Sequence, residues 1–162
     1  NHTFLIDIFN EIHKKNHSSL LLLVGQGPLK EEIENKVKEL ALNDSVRFLG
    51  QRNDANELYQ AFDVFCLPSL YEGLPVVGVE AQASGLLCIL SDAMTKEAKA
   101  LESTKFNSLE NGSLNWADLI LNSAESYKRS NTSEEMTENK FSIEVEGKNL
   151  ENYYLKCDKE NA

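Results

Sequence analysis

Basic residues are in short supply: 16 Lys and Arg stand against 26 Asp and Glu in the 162-residue chain, a net charge of −10. A general nucleic-acid binder needs a basic face for phosphate contacts, and a polybasic membrane patch needs clustered Lys and Arg, so the acidic balance argues against both classes. No apolar run approaches the roughly 20 residues of a membrane-spanning helix. The chain opens Asn1-His2-Thr3 without a basic start or a long apolar stretch, so no secretory signal is expected. Cys66, Cys88 and Cys157 show no CxxC spacing, and the first two lie inside apolar runs. They read as buried free thiols in a reducing compartment. Internal repeats and long disordered linkers are missing too. What is present, 41% apolar and 26% charged residues, is a globular composition in a chain long enough to bury a core without disulfides. The expectation is one soluble, acidic, cytosolic domain.

Apolar residues at Phe4, Leu5, Ile8, Phe9 and Ile12 recur at helical spacing, with Lys14, Lys15 and Asn16 as the closing turn. Leu20 to Val24 is an unbroken apolar run, which fits a strand covered on both faces. Pro28 suits the first turn of a second helix, whose buried stripe reads Leu29, Ile33, Val37, Leu40 and Ala41. The pattern repeats: a strand over 46–49, a helix capped by Asn53 or Asp54 and carrying Leu58, Tyr59 and Phe62, a strand over 64–67, a helix over about 74–84, and a strand over 86–90. A weaker unit covers 95–109, and Trp116, Leu119 and Ile120 form the core face of a further helix. Strands alternating with helices predict an α/β fold, a Rossmann-like doubly wound parallel sheet with helices on both faces. Residues 1–122 form that nucleotide-binding domain and 123–162 a helical extension of it. Within the extension, 122–140 reads as mostly solvated helix, and Ile143, Leu150, Tyr154 and Cys157 as one stripe of a terminal helix.

Two stretches carry chemistry. Gly25-Gln26-Gly27 sits at a strand-to-helix turn, where free helix N–H groups favour an anion. The dinucleotide fingerprint is incomplete, since Lys30 stands where a third Gly belongs. A tight structural turn and a phosphate-facing loop are therefore both open. The sharper stretch runs from Pro68 to Gly85. Glu72 follows a strand, on the edge where open α/β sheets bind ligands. Gly73 permits close backbone approach, and Pro75 starts a helix whose first N–H groups, near Leu74, Val76 and Val77, are placed for a diphosphate. Glu80 follows about a turn and a half on, roughly 8–9 Å along the axis. Among Val76, Val77, Val79, Ala81 and Ala83 its carboxylate is costly unless hydrogen-bonded, and a vicinal diol would satisfy it. The spacing suits a nucleotide sugar; equally, Glu80 pairs with a local cation and Glu72 is a solvated turn residue.

The Glu72-x(7)-Glu80 pair, with Pro68-Ser69 before it and Glu80-Ala81-x-Ala83-x-Gly85 after it, resembles the C-terminal half of retaining GT-B glycosyltransferases of family 4. The order of the Gly-x-Gly-Pro turn, Val46-Arg47-Phe48-Leu49-Gly50 and Ala61-Phe62-Asp63-Val64-Phe65 agrees, and the tone is that of bacterial capsular or extracellular polysaccharide enzymes. The resemblance implies a sugar contact for Glu72, a ribose contact for Glu80, and diphosphate binding at the amides of Gly73, Leu74 and Val76. It places Gln51 and Arg52 beside the base. It implies transfer of a hexosyl group from a UDP-sugar, with retention, to a saccharide or lipid-linked acceptor. The donor is a substrate, so no cofactor and no bound metal are implied. The setting would be cytoplasmic or peripheral to the inner face of the cell membrane.

Two departures stand out. Leu87 occupies a position where the family has Pro, which should alter only a strand start. The family's phosphate-binding Arg and Lys and its N-terminal domain do not appear in this chain, so weak donor binding and no useful transfer are expected of it alone. The resemblance also makes Tyr153 and Tyr154 part of an interdomain face. Rival readings are a non-catalytic module holding a sugar nucleotide or a partner protein, and a generic NAD domain, which the imperfect Gly pattern disfavours. His13 and His17, four apart, lack a third ligand for a metal and read as a solvated helix end. Ser69 has no Gly-x-Ser-x-Gly context for a hydrolase, and Cys66 and Cys88 lack an activating cation.

Overall fold

The computed structural model describes residues 1–160. Helix and strand alternate as α1 (His2–Lys15), β1 (Leu21–Val24), α2 (Lys30–Glu39), β2 (Val46–Gly50), α3 (Ala55–Ala61), β3 (Val64–Leu67), α4 (Val76–Ala83), β4 (Leu87–Ser91) and β5 (Lys105–Asn107). Three helices follow: α5 (Gly112–Ser126), α6 (Ser133–Glu138) and α7 (Ile143–Glu160). Every strand pairing is parallel, as helical crossovers require. The strands do not form one continuous sheet. They fall into a β1–β2 pair and a β3–β4–β5 sheet with β4 central.

Helix α1 ties the two sheets together. Its Ile6 and Phe9 pack with Leu23, Ile33, Val37, Leu42 and Val46, while Ile8, two residues from Ile6 and so turned to another side of the helix, packs with Leu87, Ile89, Trp116 and Ile120. On the opposite face of β4, Cys88 and Leu90 meet Tyr59 and Ala81. Strand β4 is therefore buried at all five positions, with α4 on one side and α1 and α5 on the other. Gly78 allows this closeness: a Cβ there would already touch the Pro75 ring at 3.4 Å and Leu90 at 3.9 Å. Leu87, in place of the family's Pro, simply opens β4 in register with Val64.

Several expectations needed correction. The run ending at Val24 is not covered on both faces: Leu23 is buried, but Leu20, just before β1, and Val24, its last residue, are exposed. Pro28 precedes α2 rather than entering it. Leu29 and Ala41 fall out of the buried stripe, because α2 ends at Glu39 and Ala41 turns with φ 56°, which delivers Leu42 to the core instead. Asp54 holds the N-cap position of α3 without a side-chain cap bond, since its carboxylate is taken by Arg52. Ile143, Leu150 and Tyr154 are exposed on α7, and Tyr153 and Tyr154 rest against each other, 5.8 Å between ring centres.

Residues 127–132 form a strap, not the continuous helix expected. The Tyr127 hydroxyl donates to Gly85 O, Arg129 donates to the carbonyls of Tyr59, Gln60 and Phe62, and Thr132 donates to Ala83 O. Thus the strap closes the ends of both α3 and α4. Gly85 is where it passes closest: φ is +74°, and a Cβ would lie 2.8 Å from Ser130 O and 3.0 Å from Arg129 Cγ. Gly85→Ala is expected to cost about 2 kcal/mol through strain and clash. A urea-unfolding midpoint equal to that of the parent chain would show that the strap yields freely.

Candidate functional site

The loops after β1, β2 and β3 all leave from the C-terminal edge of parallel strands, the edge where such folds bind ligands. After β1, Gly25 adopts φ 129° and donates its N–H to Gly50 O at 2.8 Å, which draws the β1 and β2 exits together. Gly25 and Gly27 are exposed, and a Cβ at either would meet nothing within 4 Å. This end of the domain is open. Gln51 is exposed, whereas Arg52 grips Asp54 in a two-pronged ion pair, 2.7 and 2.5 Å. That hydrogen bond raises the Arg52 guanidinium and holds the Asp54 carboxyl below its ordinary range. Arg52 is thus already occupied by a neighbouring carboxylate.

The decisive segment follows β3. Pro68 is buried and its carbonyl accepts from Asn1 Nδ2 at 2.9 Å. Ser69 Oγ then donates to Glu72 Oε1 at 3.1 Å, fixing a half-buried carboxylate just ahead of Gly73. Helix α4 begins at Val76, with Pro75 as N-cap. The amides of Gly78 and Val79 both return to Pro75 O. Those of Val76 and Val77 precede the first intrahelical bond, so they point outward with the positive end of the helix. Leu74, Val76 and Val77 carry exposed side chains around this opening.

Glu80 is the fifth residue of α4, about 6 Å along the axis from Val76 rather than the 8–9 Å expected, because the helix starts later than its sequence suggests. Nor is it enclosed by its apolar neighbours: Glu80 is exposed, because Val76 and Val77 themselves face outward. Its desolvation cost is therefore small in this chain. Among the described residues no cation pairs with it; instead the Tyr59 hydroxyl donates to Glu80 Oε2 at 3.2 Å. Burial, then the neighbouring Glu80 charge, pushes the Tyr59 phenol up to about 12, so it remains a donor at neutral pH.

Tyr59 and Ser69 were not singled out as site residues from sequence. Ser69 is close to Glu72 in sequence, but it is not at the N-cap of α4, so no capping motif marks their side-chain bond. Nothing local signalled Tyr59, which looks like core. His13 is half-buried against Phe9 rather than solvated, with Nε2 3.5 Å from Ser45 Oγ and its ring 5.3 Å from that of His17. Among the described residues no group of three His, Cys, Asp or Glu side chains is arranged to hold a metal ion. Burial pushes the thiols of Cys66 and Cys88 up to about 12, which keeps both protonated and unreactive.

Comparison with known proteins assigns this architecture. The family model described as Glycosyl transferases group 1 matches residues 1–143. EpsF of Bacillus subtilis is 48% identical over 100 residues, 62% of this chain and 26% of EpsF. An Escherichia coli UDP-Gal:alpha-D-GlcNAc-diphosphoundecaprenol alpha-1,3-galactosyltransferase is 41% identical over 75 residues, 46% of this chain and 19% of that enzyme. Among solved structures, Anabaena HepE in complex with UDP-glucose shares the fold with a TM-score of 0.77 at 21% identity, over 96% of this chain and 45% of HepE. The C-terminal domain of Francisella tularensis LpcC matches with a TM-score of 0.59 at 26% identity, over 74% of this chain and 68% of that one. The chain spans about a quarter or less of the length of these curated relatives. A parallel α/β fold of the GT-B type, matched by the family model over most of its length, makes this chain a member of the glycosyl transferases group 1 family.

Proposed function

We propose that this chain is the donor-binding half of a retaining glycosyltransferase that moves a sugar from a UDP-sugar to a saccharide or lipid-linked acceptor. The observation that carries the proposal is the α4 entrance: free amides at Val76 and Val77, Glu72 held by Ser69 just before them, and Glu80 held by Tyr59 one turn beyond. The diphosphate sits on the amides of Gly73, Leu74 and Val76, Glu72 contacts the sugar, and Glu80 accepts the ribose hydroxyls. Stabilising the departing diphosphate at a helix N-terminus supplies part of the catalysis. Arg52, being tied to Asp54, lies beside the base with Gln51 rather than on the phosphates. The UDP-glucose complex of HepE and the UDP-galactose donor in the name of the Escherichia coli relative support a uridine donor.

The acceptor site and the cations that neutralise the phosphates belong, in this reading, to parts of the enzyme outside this chain, so binding here is weak and turnover absent. Among the described residues no helix is long and apolar enough to cross a membrane, and the proposed setting is the cytoplasmic side of polysaccharide assembly. Calorimetric titration with UDP, UDP-N-acetylglucosamine and NAD tests the reading. Glu80→Ala should weaken uridine binding at least tenfold, the loss of about 1.5–3 kcal/mol for a hydrogen bond to a charged group. NAD binding that survives Glu80→Ala would instead support a generic dinucleotide domain.

A further inference from the structure

Resting on the donor-site reading above, we propose that Tyr59 is a positioning residue for ribose recognition, holding the Glu80 carboxylate in the orientation that receives the two ribose hydroxyls. Glu80 is exposed on α4, where a long side chain samples many rotamers and loses that freedom when it binds a ligand. Tyr59 is the opposite. It is 6% exposed, and its ring stands edge-on to Phe62 and Phe65, each 6.2 Å away. Arg129 holds the backbone beneath it, donating to Tyr59 O at 3.0 Å and Phe62 O at 2.6 Å. The hydroxyl therefore emerges from a fixed ring at a fixed height on α4, 3.2 Å from Glu80 Oε2 and 3.4 Å from Val77 O. One carboxylate oxygen is anchored, while Oε1 and the remaining lone pairs stay open to a diol.

Tyr59→Phe removes the hydroxyl and keeps the ring packing. The 162-residue chain, isotopically labelled, is titrated by NMR with UDP and with 2′,3′-dideoxy-UDP at up to millimolar concentration. The parent chain should prefer UDP, and Tyr59→Phe should reduce that preference about three- to tenfold while leaving dideoxy-UDP affinity unchanged. In a Glu80→Ala background the same change should have no further effect, since Tyr59 acts only through that carboxylate. Equal weakening of both ligands would reduce Tyr59 to a packing role and overturn the inference. So would a preference untouched in Tyr59→Phe but lost in Glu80→Ala, which leaves the donor reading intact. A parent chain that does not distinguish the two ligands removes both.

Discussion

Gln82→Leu is expected to destabilise the chain by about 3–5 kcal/mol, a large part of the stability of an ordinary domain. Gln82 is fully buried on α4 and uses its whole amide. Nε2 donates to Gly78 O at 2.9 Å and to Ala98 O at 2.8 Å. Oε1 accepts from the amides of Ala100 and Leu101, at 2.7 and 3.0 Å, and from the Thr104 hydroxyl at 2.6 Å. Four of these bonds, all but the one to Gly78 within α4 itself, fasten the segment between β4 and β5 to α4. Leucine matches the volume but leaves two amides, a hydroxyl and a carbonyl unpaired in a place water does not reach, each costing about 1–3 kcal/mol before relaxation. Urea unfolding measures the effect; a loss below about 1 kcal/mol would mean that the segment swings out and finds water.

Trp116→Ala should cost about 3–5 kcal/mol by a different route, a cavity rather than unpaired polar groups. Trp116 is fully buried between α1, α5 and β4, edge-on to Phe4 at 6.1 Å, with its indole N–H donating to Ser108 O at 2.8 Å. Its partners Ile8, Leu87 and Ile89 share nothing with Gln82, which lies across β4. The two costs should therefore add, and the double variant should fail to give a cooperative melt. A double variant that still unfolds cooperatively near the parent midpoint would show that the two faces of β4 are not independent supports.

The site was only partly legible in the chain. Glu72, Gly73 and Glu80 lie within nine residues, so their spacing along one strand–loop–helix unit is local information. The groups that orient them are not all local. Ser69 is three residues from Glu72, but Tyr59 lies 21 residues before Glu80 and reaches it only because α3 and α4 cover the same face of β4. Arg52 is a different case: the resemblance sets it beside the base, and the structure adds that its guanidinium is paired with a carboxylate two residues away.

Sequence by itself determined the alternation of strands and helices, because short apolar runs, stripes at helical spacing and the glycines and prolines between them act over a few residues. It likewise placed two carboxylates on either side of a helix start, the spacing from which a nucleotide sugar is expected. Tertiary structure alone decided that the parallel strands form sheets of two and three, that β4 and not β1 is buried on both faces, and that Glu80 stands exposed beside a buried tyrosine. Burial and partnership depend on which distant elements are pressed together, and α1, packed on both sheets at once, sets that arrangement through contacts that no local pattern encodes.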